Sequence, residues 1–206
     1  MIVIVDYQAG NIGSIQNMIK KLGSEAILSS DPATLEKASQ IILPGVGSFD
    51  YGMTKLRELN LIDVLNDRVL RDHVPVLGIC LGAQLMCKSS EEGVLPGLAW
   101  INGEVKRFPT ESGGVRYKVP HMGWDFVRVN KPDSKLMSDM GDPARFYFVH
   151  SYYIKCDDEG DVLTTNEYGV SYHSAFERGN IIGVQYHPEK SHKFGRQMLK
   201  NFLVNY

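Results

Sequence analysis

The stretch Val76-Leu77-Gly78-Ile79-Cys80-Leu81-Gly82-Ala83-Gln84 decides how the chain is read. A short unbroken apolar run ends in Gly-x-Cys-x-Gly and passes into a helical pattern that carries through Cys87. A buried strand, then a nucleophilic side chain at the turn, then a helix is the form of a nucleophile elbow, with cysteine where hydrolases hold serine. The glycines have a steric reason. The turn is sharp and strained, so Cβ atoms at Gly78 and Gly82 would collide with neighbouring chain. The same turn sets the sulfur at a helix N-terminus, where partial positive charge and free N–H groups favour thiolate. It also aims the Leu81 N–H at a developing oxyanion. With 20 glycines and 3 cysteines in 206 residues, chance places such a motif in roughly 3% of chains. The strand before it and the helix after it lift it above a buried cysteine in a glycine turn.

Outward from the elbow, apolar runs alternate with helical stretches. Ile2–Val5, Ile41–Leu43, Val76–Ile79 and Ile181–Val184 read as buried strands. Ile12–Leu22, Met53–Leu59 and Leu61–Leu70 carry apolar residues at three- and four-residue spacing, as amphipathic helices do. Strand–helix alternation with continuous apolar strands predicts a parallel sheet covered on both faces. From about Trp100 to Ala175, Gly, Pro, Asp and aromatic residues break up short segments such as Trp124–Val129, Phe146–Val149 and Val162–Thr165, which predict antiparallel additions. Phe194–Val204 closes the chain as a helix. The expected fold is α/β: one domain over residues 1–206, with a mostly parallel central sheet flanked by helices and extended by antiparallel strands.

The composition is that of an ordinary globular protein, 43% hydrophobic and 22% charged, and the net charge of −2 gives no basic footprint for nucleic acid. The apolar run at the N-terminus stops after five residues, too short for a signal core or a membrane span. Cys80, Cys87 and Cys156 match no zinc spacing. An odd number of cysteines fits a cytoplasmic, reducing compartment best, where a thiol is buried or reactive rather than bridged. Cys87, one helical face beyond the elbow, reads as core packing. Cys156, beside Asp157 and Asp158, sits where carboxylates oppose a thiolate.

A cysteine nucleophile needs an imidazole and a group to hold that ring. Of six histidines, His187 follows the apolar strand Ile181–Gln185 and opens His187-Pro188-Glu189. Proline keeps the preceding residue extended, and residues two apart in extended chain face the same way. Glu189 is therefore placed to orient His187. In α/β-hydrolases the acid precedes the histidine; here it follows by two, which argues against an esterase. Zinc held by His187, Glu189 and His192 is the weaker alternative, since no cysteine lies at ligand spacing. Earlier in the chain, Pro44-Gly45-Val46-Gly47-Ser48-Phe49 follows the strand Ile41–Leu43. Two glycines let backbone approach a ligand closely, and an N–H from Val46 or Gly47 can join Leu81 in an oxyanion hole. Asp50 stands where a dinucleotide fingerprint needs a third glycine.

A Pro-Gly-x-Gly loop, a Gly-x-Cys-x-Gly elbow and a late His-Pro-Glu, in that order, resemble the class I (triad-type) glutamine amidotransferases. Within that class the chain is most similar to HisH, the glutaminase subunits of imidazole glycerol phosphate synthase. The likeness runs over the whole chain through Asp6–Ile12, Pro44–Gly47, Gly78–Gly82, Ser89–Gly93, Pro120–Trp124 and His187–Ser191. It implies glutamine hydrolysis by Cys80, His187 and Glu189 through a γ-glutamyl thioester. Leu81, Val46 and Gly47 would hold the oxyanion, and Gly45, Gln84, Glu92, Ser151 and Tyr152 the glutamine. Glu92 would pair with the α-ammonium. No cofactor and no metal are implied. The partner would be a HisF-type TIM-barrel cyclase in a heterodimer, with Asn11, Trp124, Tyr147 and Lys190 at or near the interface, and neither nucleic acid nor membrane takes part. For Trp124 a buried core position is the competing reading. The chain departs from the family pattern at Gln8, where glycine is usual, at Asp125, where asparagine is usual, and at Ala83, where methionine is common. Similar chains also supply ammonia to other pathways, such as amidino-sugar synthesis for surface polysaccharides. A cysteine hydrolase without glutaminase activity is the alternative of another class.

Overall fold

Val3 and Val5 pack in one apolar cluster and Ile4 in another. The same division holds for Ile41 and Leu43 against Ile42, for Val76 against Leu77 and Ile79, and for Ile181 against Ile182 and Val184. Successive side chains of a strand point to opposite faces, so each run is apolar throughout because both faces of its sheet are buried. In the computed structural model, which describes residues 1–10, 12–141 and 143–206, that sheet is the centre of the molecule. Asn11, expected at the partner-facing surface, lies outside the described residues.

In chain order the first half comprises β1 (Ile2–Val5), α1 (Ile12–Lys21), β2 (Ala26–Ser29), α2 (Pro32–Leu35), β3 (Gln40–Gly45), α3 (Phe49–Glu58), α4 (Leu61–Asn66), β4 (Val76–Cys80) and α5 (Leu81–Leu85). The second comprises β5 (Ser89–Ser90), β6 (Gly103–Arg107), β7 (Glu111–Ser112), β8 (Val115–Arg116), β9 (His121–Phe126), β10 (Arg128–Val129), β11 (Arg145–His150), β12 (Tyr152–Cys156), β13 (Val162–Glu167), β14 (Ser171–Arg178), β15 (Ile181–Val184) and α6 (His192–Asn205). The central sheet runs β2-β1-β3-β4-β15-β14-β12-β6-β5. It is parallel from β2 through β15 and antiparallel from β15 through β14 and β12 to β6. The predicted parallel sheet with an antiparallel extension is therefore what forms. Ile12, Ile15 and Ile19 of α1 join Phe194, Met198, Leu199 and Phe202 of α6 over one face. Phe49, Met53, Leu56, Leu61, Leu65 and Leu85 cover the other.

The differences from expectation are local. The helix read as Met53–Leu59 begins at Phe49. The run to Leu70 is α-helical only to Asn66 and widens into a looser turn over Asp67–Arg71. The helix after the elbow stops at Leu85, short of Cys87. Gln8 adopts φ +63, a left-handed conformation that costs an L-residue roughly 1–2 kcal/mol and that glycine adopts freely. Ala83 is fully buried, and Asp125 accepts a 3.0 Å hydrogen bond from the Asn166 side chain. Cys87 and Cys156 are buried. Burial first, then the nearby carboxylates Asp161, Glu159 and Asp157, pushes Cys156 up to about 12. Among the described residues no helix is long and apolar enough to cross a membrane.

Candidate active site

The carboxyl ends of β3, β4 and β15 lie side by side. Gly45 is in register with Cys80, and Val184 with Ile79. Three stretches far apart in sequence thus leave the sheet at one edge: Val46-Gly47, the start of α5, and Gln185 through Glu189. Ligand sites in open α/β sheets form outside such strand ends.

Cys80 is the turn itself, at φ 53 and ψ −110. A non-glycine residue held there costs of order 1–3 kcal/mol and persists only where its surroundings enforce it. Those surroundings are tight. A Cβ on Gly82 would stand 1.7 Å from the Leu43 carbonyl oxygen, and one on Gly78 2.8 Å from the Ala83 backbone. On Gly45 it would stand 2.1 Å from the buried Tyr7 hydroxyl. The elbow glycines therefore serve close approach, as the sequence pattern predicted. Leu81 opens α5, so its N–H is one of the amides without a partner in the helix.

His187 is 2% exposed and its Nδ1 lies 2.7 Å from Glu189 Oε1. The other ring nitrogen, Nε2, is buried with no hydrogen-bond partner among the described residues. Burial disfavours a charged ring, but the Cys80 sulfur and then the Glu189 carboxylate outweigh it and raise His187 to about 9. The backbone is fixed as firmly as the ring. His187 N–H donates to the Tyr147 carbonyl at 2.9 Å, Tyr147 N–H donates to Ser191 Oγ at 2.9 Å, and Ser191 Oγ donates to the His187 carbonyl at 2.6 Å. A thiol beside an imidazole whose far nitrogen is held by a carboxylate is equipped for acyl transfer through a thioester.

Cys80 and His187 open into a cavity of about 350 Å³ that Val46, Gly47, Leu81, Gln84, Glu92, His150, Ser151 and Tyr152 help to line. Gly45 is not on its wall and packs against Tyr7 and Leu81 beneath it. Gly47 sits at φ +116, and Val46 is 46% exposed. Glu92 Oε2 accepts the Phe49 N–H at 2.8 Å, at the N-terminus of α3. Burial raises this carboxyl, and that same hydrogen bond works against the rise. Gln84 gives its side-chain amide N–H groups to the Tyr152 carbonyl at 3.1 Å and to Gln185 Oε1 at 2.9 Å. A larger groove, about 550 Å³, lies beyond Glu189 between α1 and α6, and neither Cys80 nor His187 lines it. Among the described residues no group of three or more His, Cys, Asp or Glu is arranged to hold a metal ion.

Of the partner-facing candidates, Trp124, Tyr147 and Lys190 meet on one surface. Trp124 and Tyr147 are paired across β9 and β11, with ring centroids 6.1 Å apart at 76°. Lys190 Nζ lies 5.8 Å from the Tyr147 ring, and Arg145 lies 5.3 Å from Trp124. Trp124 is 41% exposed, which excludes the buried-core alternative.

Two residues at the site escape sequence reasoning. His150 lines the cavity with its Nδ1 2.7 Å from the Tyr152 carbonyl. That carbonyl only accepts, so Nδ1 carries the proton, and burial lowers His150 to about 3, leaving it neutral. Gln185 is fully buried, and its Nε2 lies 3.6 Å from Cys80 Sγ.

The family model described as glutamine amidotransferase class-I matches residues 3–206. The chain is 51% identical over 203 residues to "Imidazole glycerol phosphate synthase subunit HisH 2" of Methanococcus maripaludis, covering 98% of each. It is 46% identical over 203 residues to the protein of the same name from Pseudomonas aeruginosa, again covering 98% of each. Among solved structures, a glutamine amidotransferase from Thermotoga maritima superposes with a TM-score of 0.69 at 18% identity, over 98% of this chain and 95% of that one. At that identity the likeness speaks for the fold alone.

Proposed function

The chain belongs to the class-I glutamine amidotransferases, and we propose that its Cys80, His187 and Glu189 hydrolyse L-glutamine within an imidazole glycerol phosphate synthase. It serves as the glutaminase subunit of that enzyme, the synthase whose subunit is named in relatives at 51% and 46% identity. The observation that carries the catalytic reading is the strained Cys80 elbow opening into the same cavity as a His187 ring held by Glu189.

Cys80 Sγ attacks the side-chain carbonyl of glutamine. The oxyanion is met by the Leu81 N–H and by an N–H from Val46 or Gly47. His187 gives its proton to the departing ammonia, leaving a γ-glutamyl thioester. It then takes a proton from water, which attacks the thioester and releases glutamate. Glu189 keeps the ring oriented and favours its protonated form. Glu92 receives the α-ammonium, while the Gln84 side-chain oxygen and the Ser151–Tyr152 backbone hold the rest of the amino acid, with Gly45 packed behind the cavity wall against Leu81.

The name of a synthase subunit implies a second subunit. A HisF-type TIM-barrel cyclase, docked on Trp124, Tyr147 and Lys190 and, by the resemblance, on Asn11, would receive the ammonia and pass it to a ribulosyl-phosphate substrate. The products would be imidazole glycerol phosphate and an aminoimidazole carboxamide ribotide. Residues 1–206 would act as one amidotransferase domain in the cytoplasm, with no cofactor. A second reading keeps the chemistry and changes the acceptor. Both relatives carry the number 2 in their names, which favours a duplicated subunit feeding another synthase, such as one making amidino sugars. Cys80→Ala decides the catalytic reading. In the complex it should lose glutamine-dependent synthesis and keep synthesis from added ammonium salts; surviving glutamine turnover would contradict it.

A further inference from the structure

Gln185 follows β15, and the register of β15 on β4 carries it alongside Cys80. Its backbone is pinned by donating to the Ser174 carbonyl at 2.8 Å. Its side chain ends a directed chain of hydrogen bonds. The Tyr152 carbonyl can only accept, so Gln84 must turn its NH₂ toward it at 3.1 Å. The same NH₂ then faces Gln185 at 2.9 Å, so Gln185 must answer with oxygen. Only the Gln185 NH₂ is left for Cys80 Sγ, at 3.6 Å. A backbone carbonyl on the cavity wall thus fixes, through two buried amides, that a donor and not an acceptor meets the sulfur. Reversing Gln84 would set oxygen against oxygen, and reversing Gln185 would set donor against donor.

We infer that Gln185 is a positioning residue for the nucleophile, holding Cys80 Sγ as thiolate and in its attacking orientation through an N–H whose direction Tyr152 and Gln84 dictate. A donor on sulfur is worth most while sulfur is charged, so this hydrogen bond stabilises the thiolate before attack and slackens once the thioester forms. The inference rests on the proposed role of Cys80 and adds a residue to it.

The test is the pH dependence of Cys80 alkylation by iodoacetamide in the full chain, with Cys80→Ala as the blank for Cys87 and Cys156. Gln185→Met keeps the side chain's length and removes the donor. Losing a hydrogen bond to a charged group should move the pH of half-reaction up by about one unit and lower kcat for glutamine about tenfold, with KM within about twofold. A role in packing alone would leave the alkylation midpoint where it is. If Gln185→Met does not fold, Gln185→Glu decides. It can still accept from Gln84 but sets a carboxylate against the sulfur, and its midpoint should rise further. An unchanged midpoint in the folded variant overturns the inference while Cys80-dependent glutaminase activity in the unaltered chain leaves the proposed function standing. Absence of that activity overturns both.

Discussion

Glu189 reaches back across a single proline to place Oε1 2.7 Å from His187 Nδ1, and both side chains are almost wholly buried. Between two such groups the screening that weakens surface ion pairs is absent. Burial alone would strip His187 of its charge; the Cys80 sulfur and the Glu189 carboxylate instead raise it to about 9. The His187 imidazolium, the proposed proton donor to leaving ammonia, therefore exists below about pH 9 and is lost above it. Glutamine turnover should fall on the alkaline side around that pH. In Glu189→Gln the charge partner is gone and burial counts for more, so the His187 midpoint, read by NMR titration, should drop by about one pH unit or more. Turnover should fall about 10²-fold. An unmoved midpoint would mean Glu189 only fills space.

Glu92 has two tasks that a single substitution separates. Its Oε2 accepts the Phe49 N–H at 2.8 Å, which a glutamine oxygen can also do. Its charge is the proposed seat of the substrate α-ammonium. Glu92→Gln should therefore leave the melting temperature nearly unchanged while KM for glutamine rises about tenfold, the loss of one charge-assisted contact. Loss of stability with unchanged KM would assign Glu92 to structure alone.

The elbow's close packing predicts a sharp contrast between two glycines. Gly82→Ala drives a Cβ to within 1.7 Å of the Leu43 carbonyl oxygen. Overpacking of this kind costs about 3 kcal/mol, a drop of about 6–12 °C in Tm for a chain of this size. Gly13→Ala, in α1 with nothing within 4 Å among the described residues, should be neutral or stabilising by up to about 1 kcal/mol. Thermal melts of the two variants settle the comparison.

Trp124 stacks on His192 with centroids 5.4 Å apart at 7°, yet remains 41% exposed. An exposed, braced aromatic is the kind of residue that anchors an interface. Trp124→Ala should weaken binding to the cyclase by about 30-fold, measured by calorimetry, and leave the monomer's melt close to that of the unaltered chain. Equal affinity would move the proposed interface elsewhere.

The proposed triad was legible because each part is local in sequence. A strand's apolar run, two glycines flanking a cysteine, and a histidine and glutamate two apart across a proline all declare their geometry within a few residues. The parallel strands were legible for the same reason. β14 was not, because Ser171–Arg178 mixes polar and charged residues into a strand whose partners, β12, β13 and β15, bury it. Gln185 and His150 were hidden for a different reason. Their positions depend on the β4–β15 register and on the Tyr152 carbonyl, contacts that span about a hundred residues for Gln185. Trp124 could not be assigned because β9 pairs only with β11 in a two-stranded sheet, where alternation does not say which face meets solvent.

The most direct test of the central claim is glutamate release from glutamine by this chain, alone and with a HisF-type cyclase carrying its phosphorylated substrate or an analogue. The account predicts slow release by the chain alone, strong stimulation by the loaded partner, and none of either in Cys80→Ala. Rapid hydrolysis by the isolated chain, indifferent to the partner, would contradict the coupling, and release that survives Cys80→Ala would contradict the nucleophile itself.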